Sequence, residues 1–434
     1  MRRWVRARAC TPKERSMSSS QTLQSRPGED QGESSERIRA LLESARRYLG
    51  MDLALLGEFV GDTEVFRMAA GDAASFGLVE GTGIPLAETY CHAMIEGRID
   101  RVVPDSAAAP AVADLSATTA AQIGSYVGVP VHLPDGHLYG TLCGLGHSPD
   151  PTLGPRDAGL LEFLAELVEE ELAREQEASL RHRSLVARVT PLLDGTGLTM
   201  VFQPIVDLSG ARVAGFEALA RFSPQPCRSP DAWFADAVEV GLGLELEMTA
   251  ITAALEALEA VPGHAYLSIN ASAETAFSAA LAAALTEVDL SRVVLEITEH
   301  AAVANYEALS AALRPLRVAG LRLAVDDAGA GVASLHHILE LAPELIKMDI
   351  TLTRGIDTSP ARAALATALV SFGRATQAAI LAEGIETTAE LDTLRGLGVS
   401  YGQGYLLGRP GPLPAAPPAH DAVRCPARVG ASTG

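Results

Sequence analysis

In LRLAVDDAGAG, residues 321–331, an apolar run with the length and β-branched content of a buried strand, Leu321–Val325, stops at two adjacent carboxylates and a glycine-rich turn. An ionised carboxylate is costly to bury unless a cation or hydrogen-bond donors compensate, so Asp326 and Asp327 call for a partner, and a metal ion is the natural one. Alone, the stretch reads better as a strand ending in an acidic surface turn, since Asp and Gly are ordinary turn residues. Its recurrence decides between the two. Ala265–Ile269 ends at Asn270, Val293–Leu295 runs into Glu296 and Glu299, Leu345–Met348 carries Lys347 and ends at Asp349, and Ala378–Ala382 ends at Glu383.

Ala/Leu-rich segments of helical spacing separate these runs, and the steps from Asn270 to Glu296 and from Glu296 to Asp326 are 26 and 30 residues, about one strand plus one helix each. That rhythm predicts consecutive βα units around a parallel sheet: an α/β fold, most economically a TIM-like (β/α)8 barrel with its polar residues at the C-terminal face. Carboxylate and amide oxygens with no His or Cys among them favour Mg2+ or Mn2+ over Zn2+.

At 434 residues the chain has room for two domains. A net charge of −20 excludes bulk binding to DNA, which needs Lys and Arg to neutralise phosphates, but leaves room for a small anion held by metal ions. The five cysteines (10, 91, 143, 227 and 425) are scattered without CxxC spacing and read as reduced, hence a cytoplasmic protein. No apolar run reaches the ~18 residues of a transmembrane helix, so no membrane span is expected. Residues 1–36, basic at first and then rich in Ser, Gln and Glu, read as a disordered extension, and the Pro/Ala-rich residues 413–434 as a disordered tail.

Residues 37–177 have an α+β pattern: a helix at 37–49, strands at 53–60 and 65–70, a hairpin of 124–133 and 137–145 turning at Pro134–Gly136, and a closing helix at 157–177. This stretch resembles a GAF sensory domain, chiefly through GIPLAETYCHAMIEG at 83–97, VVPDSAAAP at 102–110 and IGSYVGVPVHLPDGHLYGTLCGLG at 123–146. GAF domains bind cyclic nucleotides, bilins, haem or no known ligand, and the ligand here is unknown. Bilin-carrying members have their Cys where this chain reads Ala117–Gln122, so Cys91 is expected as a packed thiol, as is Cys143. Leu160, Leu164, Leu167 and Val168 form one face of the closing helix, which either packs on its own sheet or pairs with a second copy. A helical linker, 178–198, follows.

Residues 199–412 resemble an EAL domain, the cyclic-di-GMP phosphodiesterase family, with several separated motifs in order. The signature tripeptide stands as Glu217, Ala218 and Leu219. The resemblance implies Glu217, Asn270 in LSINAS, Glu296 in LEITE, and Asp326 and Asp327 as metal ligands. It implies Arg221 and Gln203 as substrate-binding residues, Arg221 through the planar fork that suits phosphate. Glu383 in AEGIET, Lys347 in IKMD and Gln403 in GQGYLLGRP are implied around the attacking water, and Glu299 as the anchor of the loop after the next strand. The implied reaction uses two Mg2+ or Mn2+ ions to open cyclic di-GMP to linear pGpG, and the implied assembly is a homodimer.

One departure stands out. The family's loop begins Asp-Phe-Gly-Thr-Gly, whereas here Asp327 precedes Ala328, Gly329, Ala330 and Gly331, with neither the aromatic nor the hydroxyl. The alternative is therefore a non-catalytic receptor of cyclic di-GMP, and a third reading is an unrelated metal-dependent barrel enzyme.

Overall fold

The computed structural model describes residues 29–223, 228–297, 305–328 and 332–413, which fall into two compact units divided between Arg181 and His182. Of the expectations above, the extensions at 1–28 and 414–434, Glu299 and the loop residues 329–331 lie outside the described residues.

In the first unit, β1 (Leu53–Val60), β2 (Thr63–Gly71), β3 (Gly83–Pro85), β4 (Val102–Val103), β5 (Ser125–His132) and β6 (Leu138–Gly146) form one antiparallel sheet in the order β3-β2-β1-β6-β5-β4. The β5–β6 hairpin turns at the predicted Pro-Asp-Gly: Gly136 takes φ +81°, and the Asp135 carboxylate accepts the His137 N–H at 2.9 Å. One sheet face carries Val129 and Leu142, which share a core with Ile38 and Leu42 of the helix Glu29–Leu49 and with Leu161, Leu164 and Val168 of the helix Pro155–Val189. The apolar stripe of the closing helix thus packs on its own sheet.

Two boundaries differ from expectation. The first helix starts at Glu29, inside the stretch expected to be disordered up to residue 36, and places Ser34 where its hydroxyl donates to Glu171 at 3.2 Å. The closing helix runs on to Val189, into the expected helical linker, because Ala, Leu, Glu and Arg are all good helix formers and neither Gly nor Pro interrupts 160–189.

The second unit is a closed barrel of eight strands: β7 (Leu198–Asp207), β8 (Arg212–Phe222), β9 (Tyr266–Ala271), β10 (Val293–Ile297), β11 (Arg322–Ala328), β12 (Leu345–Met348), β13 (Ala379–Ala382) and β14 (Tyr401–Gly402). From β8 through β14 every pairing is parallel, whereas β7 is antiparallel to both β8 and β14. The all-parallel sheet expected from the sequence is corrected here by loop length. Only residues 208–211 join β7 to β8, too few for a parallel crossover of about a dozen residues. Asp207 closes that turn by accepting the N–H groups of Ser209 and Gly210.

Alternation along the strands builds the barrel in layers. Leu267, Leu295, Leu323, Ile346 and Ile380 face outward into a core shared with Leu285, Leu313, Leu341, Leu369 and Leu394 of the surrounding helices. Inside, Ile205, Tyr266, Val294, Ala324, Leu345 and Leu381 close the barrel with an apolar plug. Two residues further along each parallel strand, on the same inward face, stand Ser268, Glu296, Asp326, Lys347 and Glu383. No described helix is long and apolar enough to cross a membrane.

Candidate active site

The polar layer above the plug converges on one cation. The Lys347 ammonium, from β12, lies 2.7 Å from Glu296, 2.8 Å from Glu383, 3.1 Å from Asp326 and 3.3 Å from Glu217. Carboxylates from four strands, spread over more than a hundred and sixty residues of chain, therefore meet at one nitrogen.

Glu217 is held from both sides. Its Oε1 accepts from the Asn270 amide at 3.2 Å and its Oε2 from Gln403 at 2.6 Å; Gln403 also donates to Gln203 Oε1 at 2.9 Å, and Gln203 donates to the Gly408 carbonyl at 3.1 Å. Sheet register accounts for the meeting, since Glu217 lies opposite Gln203 on β7 and Ser268 on β9, while Asn270 lies opposite Glu296. The Ser268 hydroxyl donates to Glu296 Oε1. Lys347 and Glu296 are 1% exposed, while the side chains of Asp326 and Glu383 are 21% exposed, so the cluster opens to solvent on their side.

The charges do not balance, and the proton affinities show it. Burial would lower the Lys347 pKa, but Glu217, Glu296, Glu383 and Asp326 outweigh it and hold the lysine well above its ordinary range. Burial would raise Glu217, but the Lys347 charge with the hydrogen bonds from Gln403 and Asn270 keeps it below the usual carboxylate range. Glu296 and Glu383 are not so favoured. Burial, reinforced by the neighbouring carboxylates and opposed by Lys347, pushes Glu296 up to about 8 and Glu383 up to about 7. One ammonium is not enough for four carboxylates.

That surplus of hard oxygen donors is what a divalent cation would offset. Gln403 adds a buried Oε1 with no hydrogen-bond partner beside Glu217. By donor type and charge the residues fit such an ion. Among the described residues, however, no three His, Cys, Asp or Glu side chains form a cage, because the Lys347 ammonium lies between the carboxylates.

The other predicted positions fall as follows. Asp327 belongs to β11, but its side chain is outside the described residues. Arg221 is at the end of β8, exposed, with its guanidinium on the Ala220 carbonyl at 2.8 Å and no contact to the cluster. Asp349, expected as a strand-end oxygen ligand, instead caps the helix Ile350–Thr353 by accepting the Thr351 N–H at 2.9 Å.

The sequence profile of the EAL domain matches residues 187–410, more than half of the chain, and that of the GAF domain matches residues 33–172. The chain belongs to the EAL-domain family. Every cluster residue lies inside the EAL match, and the six-stranded sheet lies inside the GAF match. A Caulobacter vibrioides protein described as an uncharacterised signalling protein is 31% identical over 252 residues, 56% of this chain and 31% of that one. A Pseudomonas aeruginosa protein named a cyclic di-GMP phosphodiesterase is 31% identical over 235 residues, 49% of this chain and 38% of that one. The chain thus spans about a third of the length of these relatives. A solved EAL enzyme bound to cAMP and cyclic di-GMP superposes with a TM-score of 0.52 at 18% identity, covering 84% of this chain and 91% of that one, a likeness of fold.

Ser268 is the EAL-domain residue that the reading of the sequence missed. Its signal was available: it precedes Asn270 by two in a strand, and so shares its face.

Proposed function

We propose that this chain hydrolyses one 3′–5′ phosphodiester of cyclic di-GMP to give linear pGpG in the cytoplasm, with Mg2+ or Mn2+, under the control of its GAF domain. The observation that carries the reading is the convergence of Glu217, Glu296, Asp326 and Glu383 on Lys347, with Asn270 and Gln403 fixing Glu217. The relative named a cyclic di-GMP phosphodiesterase supports the choice of substrate.

In this proposal Glu217, Asn270, Glu296, Asp326 and Asp327 hold the ions. Bound divalent ions would neutralise charge on the phosphate and acidify a water. Glu383, whose proton affinity lies near neutral pH and whose side chain reaches solvent, accepts the proton of the attacking water. Gln403 accepts a hydrogen bond from that water through its free Oε1, which fixes the oxygen for attack. Lys347 keeps the carboxylates from repelling one another. Arg221, exposed at the end of β8, leaves the Ala220 carbonyl and closes its fork on a substrate phosphate. The proposal includes a homodimer, which sedimentation of the full chain tests.

The test is incubation of the full-length protein with cyclic di-GMP and Mg2+ or Mn2+, following pGpG by chromatography, beside Glu217→Ala. Product from the wild type that disappears in the variant supports the proposal. Nucleotide binding without product, with either metal, would replace it by the receptor reading.

A further inference from the structure

The GAF domain contains a cavity of about 280 Å3 between the β1-β2-β5-β6 part of the sheet and the segments that cover it. Its walls are apolar: Leu55, Phe66, Phe76, Tyr126 and Leu145 set its sides, and the small side chains of 117, 120 and 121 leave it open. Into this lining β2 sends one acid. Glu64 shares the inward face of β2 with Phe66 and is 1% exposed. Gly57 on β1 makes room for it, since a Cβ there would collide with the carboxyl oxygen.

The hydrogen-bond partners of Glu64 are all neutral, the Cys91 thiol, Thr89 and the Thr141 hydroxyl at 3.4 Å, and His92, outside the cavity lining, exerts only a smaller electrostatic pull. Burial raises its proton affinity. Among the described residues no Lys, Arg or His lines the cavity, and the only other charged lining residue is a second acid, Glu88, exposed at the rim. A fold that needed only a filled core would place Leu or Met at position 64, because a buried carboxyl without a cationic partner is destabilising.

This lining selects by charge. An anionic ligand, a cyclic nucleotide or a haem with its propionates, would bring a phosphate or carboxylate into an apolar site whose described lining already holds an acid and presents no cation. A donor, above all a cationic one, would remove the cost of burying Glu64 through a charge-assisted hydrogen bond. The volume accepts a compact molecule of one or two rings.

We propose that the GAF cavity binds a small apolar amine, its ammonium on Glu64 and its hydrocarbon body against Phe66, Phe76 and Tyr126. The site is separate from the barrel, and the inference does not depend on the proposed hydrolysis.

The experiment is titration calorimetry of the full-length chain with 2-phenylethylamine, tyramine and tryptamine, with 3-phenylpropionate as the matched acid and cyclic GMP as the anionic nucleotide. Saturable binding of at least one amine, about tenfold or more tighter than the acid and cyclic GMP, is expected. Glu64→Gln, which keeps the shape and removes the charge, should weaken that amine by about tenfold or more. Ala117→Trp, which fills the cavity and leaves Glu64 in place, should abolish binding and serves if the Gln variant fails to fold. The proposal is overturned if no amine binds more tightly than ~1 mM, if acid and amine bind alike, or if both variants bind the amine as the wild type does.

Discussion

The Lys347 ammonium stands 2.7 Å from the Glu296 carboxylate, both buried in the throat of the barrel, and the same nitrogen reaches three further carboxylates. A lysine in that position is a counter-charge built into the fold. It makes the acid cluster tolerable and leaves a deficit of positive charge for an ion to fill.

Replacing Lys347 by Met removes the charge and keeps much of the volume. Four carboxylates are then left without a cation, which should lower stability by about 3–5 kcal/mol, the usual cost of breaking a buried pair from one side. Saturating Mn2+ should restore part of the loss, because it offsets the same charges. Denaturant titration with and without the ion checks this, and an unchanged midpoint in its absence would refute it.

Ser268 orients Glu296 by donating to Oε1 while Lys347 occupies Oε2. Ser268→Ala frees the carboxylate to rotate. A loss of about 10–100-fold in metal affinity or in turnover is expected, with little change in melting temperature. Metal titration followed by rate measurement at saturating metal separates the two effects.

Arg221 is exposed and makes no contact with the cluster. If it closes on phosphate in the substrate complex, Arg221→Lys loses the planar fork and keeps the charge. Steady-state kinetics should show KM raised by about tenfold with kcat less affected, and stability unchanged. A fall in kcat alone would move Arg221 from substrate binding to the chemical step.

Glu390 tests the barrel's scaffold through pH. It completes a capping box with Thr387 and accepts the N–H groups of Gly355, Glu386 and Thr387. Burial would raise its pKa, but these three backbone donors outweigh it and leave it below the ordinary value of 4.5. A carboxylate with a lowered folded-state pKa adds stability above its unfolded value and loses it as pH falls through the folded one. Glu390→Gln should therefore cost about 1 kcal/mol at pH 7, and the gap from wild type should narrow below pH 4.5. Melting curves at both pH values measure it; a gap that widened in acid would contradict the sign.

The sequence by itself determined the strands, their inward faces and the acids at their ends, because a strand's two faces follow from alternation and a buried carboxylate is conspicuous among Val, Leu and Ile. It also carried the motifs by which both domains were identified, Glu217–Leu219 and Gly83–Gly97 among them. Which of these side chains meet was decided only by the tertiary structure. Glu217 and Lys347 are 130 residues apart and touch because the barrel closes, and Gln403 reaches Glu217 across 186 residues for the same reason. No local pattern distinguishes Asp349, which caps a helix, from Asp326, which faces Lys347, since both follow an apolar strand. The antiparallel β7 came from the short connection after Asp207. In the GAF domain Glu64 looks like an ordinary acid in a half-exposed strand, and only the packing of Phe66, Tyr126 and Gly57 around it turns it into a buried acid in a cavity wall. Alternation and turn chemistry act between neighbours in the chain, so they can be read there; encounters across a closed sheet depend on where every other strand has gone.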